Sequence, residues 1–308
     1  MKAFIPSKGA VHTVTLADVP EPVAAPNEAV ITVTAYSVNR GETFALEQPA
    51  DGWRPGKDVS GVISRAAADG SGPHVGTRVV AHPPASGWAE RVAVPTSQIA
   101  VLPEAVTNEV GAALPLAGLT ALRLCRAAGS MIGRKVLMTG ASGGVGHYFT
   151  ELAVTAGAEL TVVTGTPERG ERLQALGAKH VVQSVSEAIG PFDLVFESIG
   201  GTSLPMALAK LAPRGTLIWF GQASRQPSEL NFFRFWEGPV SGSIRHFDYT
   251  DSDVPDGKDL ATLVELVGSG RLHPEIGLIA DWSHTADVLN ALRDRRVRGN
   301  AILTRNAT

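Results

Sequence analysis

Short runs of apolar residues, broken by Pro and Gly, follow one another from Met1 to about Val101. They include EAVITVTAYSV, KDVSGVISRA, TRVVAH, AERVAV and QIAVL. Runs of this kind predict strands, and their succession without helices predicts an all-β, barrel-like domain. The next segment, VTNEVGAALPLAGLTALRLCRAAG, is rich in Ala and Leu at helical spacing and is interrupted at Pro115. It predicts a helical passage between two domains.

Strands and helices alternate in the following part of the chain. Apolar strands are predicted at KVLMTG, ELTVVTG, HVVQS, FDLVFESIG, GTLIWFG and VSGSIRH, with helices between them that include ERGERLQALG and LPMALAKLAP. Six such strands separated by helices favour a parallel sheet covered on both faces, of the size of one doubly wound dinucleotide domain. Two helices and a last strand, AILTR, follow. We expect this C-terminal segment to fold back onto the N-terminal domain.

The turn after the first strand of this sheet is rich in glycine. Gly140, Gly143 and Gly146 lie three residues apart in TGASGGVG, immediately before a helix. Glycines let the main chain turn tightly and let an anion approach N–H groups, and the helix N-terminus adds partial positive charge there. The pattern predicts a pyrophosphate site. The alternative is a tight turn without a ligand, because G-x-x-G-x-x-G differs from the strict G-x-G-x-x-G.

Composition narrows the possible partners and the setting. The chain has 308 residues, a formal net charge of −3 and a single cysteine, Cys125. The balanced charge gives no electrostatic reason to expect a nucleic acid or an anionic membrane as a partner. One cysteine excludes an intrachain disulfide and suits a reducing compartment, and the first residues lack the apolar segment of a signal peptide. We therefore expect a cytoplasmic protein that acts on a small molecule.

Several separated stretches together resemble one family. They are SVNRGE, PGKDVSGVI, GTRVVAHPPASGWAERVAVP, LPLAGLTAL, VLMTGASGGVGHYFTELAVTAGAEL, FDLVFESIGG, GTLIWFGQAS and RVRGNAIL. In this order and spacing, the chain resembles the zinc-free quinone oxidoreductases of the medium-chain dehydrogenase/reductase superfamily over essentially its whole length. The resemblance implies an α/β protein with a discontinuous GroES-like β-barrel catalytic domain, 1–117 and 247–308, and an inserted doubly wound Rossmann domain, 118–246. Family members usually have Ala where this chain has Gly140, a change that only widens the permitted backbone conformations.

The end of the second Rossmann strand predicts the nucleotide. NAD-preferring domains place an Asp or Glu there, whereas Thr164, Gly165 and Thr166 leave room for a 2′-phosphate. Arg169 stands where similar proteins hold that phosphate with Lys or Arg, so we predict NADPH as the cofactor. A charge-assisted hydrogen bond of about 1.5–3 kcal/mol corresponds to roughly a ten- to hundredfold preference. The alternative is that Glu168 binds the ribose and that Arg169 is a solvated charge.

The ligands that zinc-dependent relatives use are absent from the matching positions. Asn39 stands in place of their Cys, and Gly56, Lys57 and Asp58 replace their Gly-His-Glu. His82 is interpreted as an ordinary loop residue, because zinc needs three or four donors. Without a Lewis acid the substrate must supply its own electrophilicity, as quinones and α,β-unsaturated carbonyl compounds do. The sequence therefore predicts hydride transfer from NADPH to a quinone or an enone, without zinc.

The resemblance and the strand ends together give the candidate site residues. Asn39 is the candidate catalytic residue beside the nicotinamide, and its alternative role is a cap of the turn after Val38. Other residues are predicted to bind the cofactor because they lie in the glycine turn, in the helical passage, or at the carboxyl ends of strands, where the ligand crevice of an open α/β sheet lies. They are Thr120, Gly140, Ser142, Gly143, Gly144, Val145, Gly146, Thr164, Gly165, Thr166, Arg169, Ser198, Gly200, Phe220, Gly221 and Ser243.

The acceptor side of the site is less defined. No Tyr lies between the Asn39 segment and PGKD, so solvent is the expected proton source. Phe44, Trp53, Phe235 and Trp236 are candidates to line the substrate pocket, with core or subunit interface as the alternative for the last two. We expect a homodimer formed at a sheet edge near Val240–Arg245. A dedicated biosynthetic enoyl reductase and a weakly catalytic NADPH-binding protein are the alternative functions.

Overall fold

The computed structural model describes residues 1–7 and 13–305, and it divides the chain into two compact units. The first unit comprises the chain up to Leu119 together with the chain from Asp253 onward, and the second comprises Thr120–Ser252. Among the described residues, no helix combines the length and the apolar character needed to cross a bilayer.

The N-terminal part of the first unit is built from strands, as the apolar runs predict. The long third strand is its centre: Ile31 and Tyr36 are fully buried, and the indole of the fully buried Trp88 donates to the carbonyl of Ser37 at 2.9 Å. The elements are β1 (Lys2–Pro6), β2 (Val14–Asp18), β3 (Glu28–Val38), α1 (Arg40–Ala45), β4 (Val59–Arg65), β5 (Arg78–Ala81), β6 (Arg91–Pro95), β7 (Ile99–Val101), α2 (Asn108–Ala113) and α3 (Pro115–Ala128). Pro115 begins α3, where its missing N–H costs nothing.

The second unit contains a six-stranded sheet in the order β10-β9-β8-β11-β12-β13, with every pair parallel. Helices cover both faces: Phe149 packs on Phe196 with ring centroids 4.3 Å apart, whereas Leu208 packs with the adjacent Val195 on the opposite face. The α/β fold class with a parallel, doubly wound sheet is confirmed. The elements are β8 (Lys135–Met138), α4 (Gly144–Thr155), β9 (Glu159–Val163), α5 (Pro167–Ala175), β10 (His180–Val182), β11 (Phe192–Glu197), α6 (Ser203–Leu208), β12 (Leu211–Trp219) and β13 (Ser243–His246).

The C-terminal segment returns to the first unit. It forms α7 (Asp256–Gly268), β14 (Ile276–Asp281), α8 (Thr285–Arg293) and β15 (Asn300–Thr304). β15 pairs antiparallel with β3, with Ile302 opposite Ser37, and the sheet runs β14-β15-β3-β4-β5-β7, with β6 also on β3. The C-terminal segment thus supplies two strands of the N-terminal sheet.

Two element boundaries in the second unit differ from the expectation. The helix predicted through LPMALAKLAP ends at Leu208, because Leu211 is already buried and paired with Phe192 as the start of β12. The edge strand expected from Val240 begins only at Ser243.

Candidate active site

The glycine turn lies at the carboxyl end of β8. The N–H of Ala141 donates to the carbonyl of Val163 at 3.2 Å, which ties the turn to the end of β9. Gly140 has a φ of +64°, a conformation that favours glycine, and Gly143 is the N-cap of α4. A β-carbon at Gly146 would overlap the carbonyl oxygen of Ala141. The turn therefore presents main-chain groups at a helix N-terminus, as an anion site requires.

Hydrogen bonds join this turn to the end of β11. A β-carbon at Gly140 would lie 2.7 Å from the hydroxyl of Ser198, and that hydroxyl donates to the carbonyl of Thr139 at 3.2 Å. The fully buried carboxylate of Glu197 accepts from the hydroxyl of Thr139 at 3.2 Å and from the N–H of Gly200 at 3.0 Å. Glu197 fixes two strand ends to each other, a role that the sequence did not indicate beyond an acidic residue closing an apolar run.

The second strand end has an open position, and a cation follows it in the next helix. The hydroxyl of the buried Thr164 donates to the carbonyl of Thr166 at 2.8 Å, and Thr166 is the N-cap of α5. At Gly165 an added β-carbon would meet no heavy atom within 4 Å. Arg169, half-buried, is the third residue of α5. Hydrogen bonds from its own main-chain N–H, and then from the side chain of Thr166, keep the pKa of the exposed Glu168 below its usual value.

Most other predicted cofactor residues also lie along the carboxyl edge of the parallel sheet. Phe220 and Gly221 follow β12 directly, and the N–H of Phe220 donates to the carbonyl of Glu197 at 3.0 Å. Gly200 has a φ of +69° in the turn after β11. Ser142 is buried in the glycine turn, Gly144, Val145 and Gly146 form the first turn of α4, and Thr120 is buried within α3.

The placement of Ser243 was wrong. It is the first residue of β13, pairs with Thr216, and makes a 3.0 Å hydrogen bond to the Thr216 hydroxyl. In a parallel sheet the first residue of a strand lies at the amino edge, opposite the ligand crevice. The residue that closes β13 at the carboxyl edge is His246.

The first unit contains a buried polar cluster around Asp58. Asp58 is fully buried, and its Oδ2 accepts from the amide Nδ2 of Asn39 and the hydroxyl of Ser37, both at 2.6 Å. Its Oδ1 accepts from the N–H of Leu116 at 3.0 Å and lies 3.2 Å from Nδ1 of His82. A carboxylate only accepts, so Nδ1 of His82 carries the proton.

Asn39 is also the N-cap of α1, which was the alternative role for this residue. Its main-chain N–H donates to Oε2 of Glu42 at 3.0 Å, and the N–H of Gly56 donates to Oε1 of Glu42 at 2.7 Å. Burial raises the pKa of Glu42 to about 8, and the charge of Asp58 adds to this effect. Both the main chain and the side chain of Asn39 are therefore held by buried carboxyl groups.

His82 lies in a loop, as expected, but its burial and its contact with a carboxylate were not foreseen. His82 follows β5 directly, is buried, and contacts Asp58. The sequence did not indicate that Ser37, Glu42, Asp58 and His82 form one cluster. A signal for Asp58 was present, namely a charged residue directly before the apolar run VSGVI. Across residues 1–7 and 13–305, no three side chains of His, Cys, Asp or Glu are grouped as metal ligands.

The aromatic candidates have different surroundings. In the first unit, the guanidinium of Arg40 lies 5.8 Å from the ring centre of the half-buried Phe44, and Trp53 packs against the core. In the second unit, Phe235 packs against the sheet core, whereas Trp236 is 74% exposed. The surroundings of Phe235 therefore agree with the alternative role of this residue, which was packing in the core.

Known proteins are similar to this chain in sequence. The family model described as Zinc-binding dehydrogenase matches residues 144–262. A quinone oxidoreductase of Mus musculus is 30% identical over 234 residues, which cover 70% of each chain. A mycocerosic acid synthase-like polyketide synthase of Mycobacterium tuberculosis is 31% identical over 238 residues, which cover 72% of this chain. The chain spans only 11% of that much longer protein.

The fold is also found among solved structures. The quinone oxidoreductase of Escherichia coli, solved as a complex with NADPH, superposes with a TM-score of 0.88 at 20% identity and covers 99% of both chains. This likeness shows that the two chains share a fold.

Proposed function

The chain belongs to the quinone oxidoreductase family of the medium-chain dehydrogenase/reductase superfamily, and from this premise we propose that it reduces quinones or α,β-unsaturated carbonyl compounds with NADPH. The observation that carries the proposal is the glycine turn. At Gly146 a β-carbon would fill space that is occupied by the main chain, and at Gly140 it would lie 2.7 Å from Ser198. A cradle of main-chain N–H groups at the start of α4 suits a pyrophosphate.

The residues present fit this cofactor at both of its phosphate positions. The turn from Gly140 to Gly146 would hold the pyrophosphate, and the open position at Gly165 with Arg169 nearby in α5 favours a 2′-phosphate. When bound, NADPH supplies the hydride. Thr120, Ser198, Phe220 and Gly221 are further proposed contacts of the cofactor.

Asn39 is proposed to contact the nicotinamide end of the cofactor. The protein's remaining tasks are to hold the acceptor carbon within about 3–3.5 Å of the reacting carbon and to exclude competing reactions. We propose that no metal takes part, because Asn39 stands where zinc-dependent relatives have a ligand, and that solvent supplies the proton. Tyr36 does not serve as the acid, since it is fully buried with its hydroxyl 2.6 Å from that of Thr285.

Turnover of an acceptor panel tests the proposal. The purified chain is mixed with NADPH and with quinones, alkenals, enoyl thioesters or saturated ketones, and NADPH oxidation is followed at 340 nm. We expect turnover of one or more conjugated acceptors and none of the saturated ketones, which lack a conjugated carbon. Turnover of the saturated ketones alone would overturn the proposal.

The similarity to a polyketide synthase favours a second candidate, a dedicated enoyl reductase. Turnover confined to enoyl thioesters would select it over a quinone reductase. If the chain binds NADPH but oxidises it with no acceptor, the weakly catalytic NADPH-binding alternative holds instead.

A homodimer in the cytoplasm is also part of the proposal. β13 ends the sheet order, and Ile244 and Val240 on or beside it are exposed. Phe232, Phe233 and Trp236 are 67%, 72% and 74% exposed in the same unit. An apolar surface next to an open sheet edge is the kind of surface that a second copy covers. The single cysteine suits a reducing compartment.

A further inference from the structure

Asp58 uses both of its oxygens within the first unit. It accepts hydrogen bonds from the hydroxyl of Ser37 and the amide of Asn39 on Oδ2, and from the N–H of Leu116 on Oδ1, where His82 also contacts it. The carboxylate is fully buried, and four residues contact it. A group held in this way cannot rotate without breaking several hydrogen bonds at once.

This arrangement decides which end of the Asn39 amide is available to a ligand. The Nδ2 atom donates to Asp58 at 2.6 Å and lies 3.3 Å from the hydroxyl oxygen of Ser37. Since a carboxylate accepts and never donates, the opposite amide orientation would set two acceptors against each other. The nitrogen of Asn39 is therefore directed inward. Its Oδ1 caps the main-chain N–H of Glu42 at the start of α1, and the second lone pair of this oxygen is left to meet a ligand.

We propose that Asp58 is a positioning residue that holds Asn39 as a hydrogen-bond acceptor for an N–H donor of the ligand, such as the carboxamide NH₂ of NADPH. The inference rests on the proposed function, because it takes the nicotinamide end of the cofactor as the ligand of Asn39. It assigns Asn39 to orienting the cofactor. It also removes Asn39 from the donors that could stabilise an oxyanion on the acceptor, because its N–H groups are already committed.

The first experiment examines the protein without cofactor. Side-chain amides of ¹⁵N-asparagine-labelled protein are recorded by NMR, and the Asn39 pair is assigned by its loss in Asn39→Ala. We expect slow exchange with solvent at this pair in the wild type and fast exchange in Asp58→Asn. Equal exchange in both proteins would overturn the positioning role, whatever the protein's activity.

The second experiment measures NADPH affinity by calorimetry in a double-mutant cycle. Asp58→Asn allows the Asn39 amide to turn over, and we expect about a tenfold weaker Kd in the wild-type background. In the Asn39→Ala background the same change should alter Kd less than twofold, because Asp58 acts through Asn39. An equally large effect in both backgrounds would mean that Asp58 supports the fold alone, and it would overturn the inference.

A matched pair of serine variants tests the same inference without changing Asp58, in case the Asp58 variant does not fold. Ser37→Ala removes one hydrogen bond to Asp58, whereas Ser60→Ala removes an equally buried hydroxyl that donates to the carbonyl of Asn108 at 2.7 Å. We expect both to lower the melting temperature and only Ser37→Ala to weaken NADPH binding, by about threefold to tenfold. Equal Kd values for the two variants would contradict the inference.

If the wild type bound no NADPH, the proposed function would fail. The exchange of the Asn39 amide with solvent would still decide whether Asp58 holds that amide in place.

Discussion

A β-carbon at Gly146 would overlap the carbonyl oxygen of Ala141, so the fold itself requires glycine at this position. At Gly143, the residue directly before α4, an added β-carbon would lie 3.6 Å from the carbonyl oxygen of Gly140, which is an ordinary contact. The glycines of one turn are thus unequal: Gly146 is needed for close packing of the main chain, and Gly143 serves as the exposed N-cap of the helix.

This difference predicts unequal effects of two identical substitutions. Gly146→Ala must displace main chain, so we expect a loss of about 1–3 kcal/mol in the free energy of unfolding. Gly143→Ala is the matched control and should cost only about 0.5–1 kcal/mol, because alanine is a poorer N-cap than glycine but no main chain has to move. Thermal and denaturant unfolding without cofactor measures both. Equal stabilities for the two variants would contradict the packing that the turn shows.

Arg169 predicts the preference between the two nucleotides. If Arg169 binds the 2′-phosphate, Arg169→Ala should lower the ratio of NADPH to NADH turnover by roughly ten- to a hundredfold. Arg172, one turn further along α5, gives a matched control that should leave the ratio within about twofold. The ratio of kcat/KM values is the measurement. An unchanged ratio in Arg169→Ala would show that this arginine is a solvated charge.

The sequence was informative where a residue's role depends on its neighbours in the chain. Gly140 and Gly146 were recognised because glycine allows so tight a turn, and the six apolar runs predicted the parallel sheet. The start of β13 was misplaced at VSG because a strand of four residues has too few positions to show a period. Ser243 was therefore assigned to the wrong edge.

The polar cluster of the first unit was not predictable for a different reason. Asp58 contacts His82, which is 24 residues away in the sequence, and Leu116, which is 58 residues away. Such contacts leave no periodic pattern in the sequence. His82 was considered only as a possible metal ligand and was rejected in that role, so its contact with a buried carboxylate was not foreseen. What a single sequence omits is which distant polar residues fold against each other.

Chelation tests the metal-free part of the proposal. Prolonged dialysis against EDTA should leave NADPH oxidation unchanged, because the amide of Asn39 is engaged with Asp58 and its position offers no thiolate. The zinc content of the dialysed protein is measured in parallel. Activity that falls with EDTA and returns with Zn²⁺ would contradict the proposal.

The exposed edge of the second unit predicts the oligomeric state. Sedimentation at micromolar concentration should give a dimer, and Ile244→Lys on β13 should shift it to a monomer, because a charge on an edge strand opposes pairing. Ile132→Lys is the control, since Ile132 is 79% exposed in the same unit but lies outside the strands. A monomeric wild type would refute the dimer, and a dimeric Ile244→Lys would refute its position.

Glu42 predicts a dependence of stability on pH in the neutral range. Its pKa in the folded protein is about 8, well above that of an unfolded glutamate, because burial disfavours the charged form. The folded state therefore retains a proton that the unfolded state has lost, and the resulting stabilisation decreases as the pH rises from about 4.5 to about 8. Glu42→Gln cannot ionise, so the stability of the wild type relative to this variant should fall across that range, by at most about 5 kcal/mol.

Asp18→Asn is the control. The pKa of Asp18 is lowered by Lys2, so Asp18 is ionised in both states above pH 5, and its variant should differ from the wild type by a constant amount. Urea unfolding from pH 5 to pH 9 measures these differences, and a pH-independent difference for Glu42→Gln would mean that Glu42 is ionised within the fold.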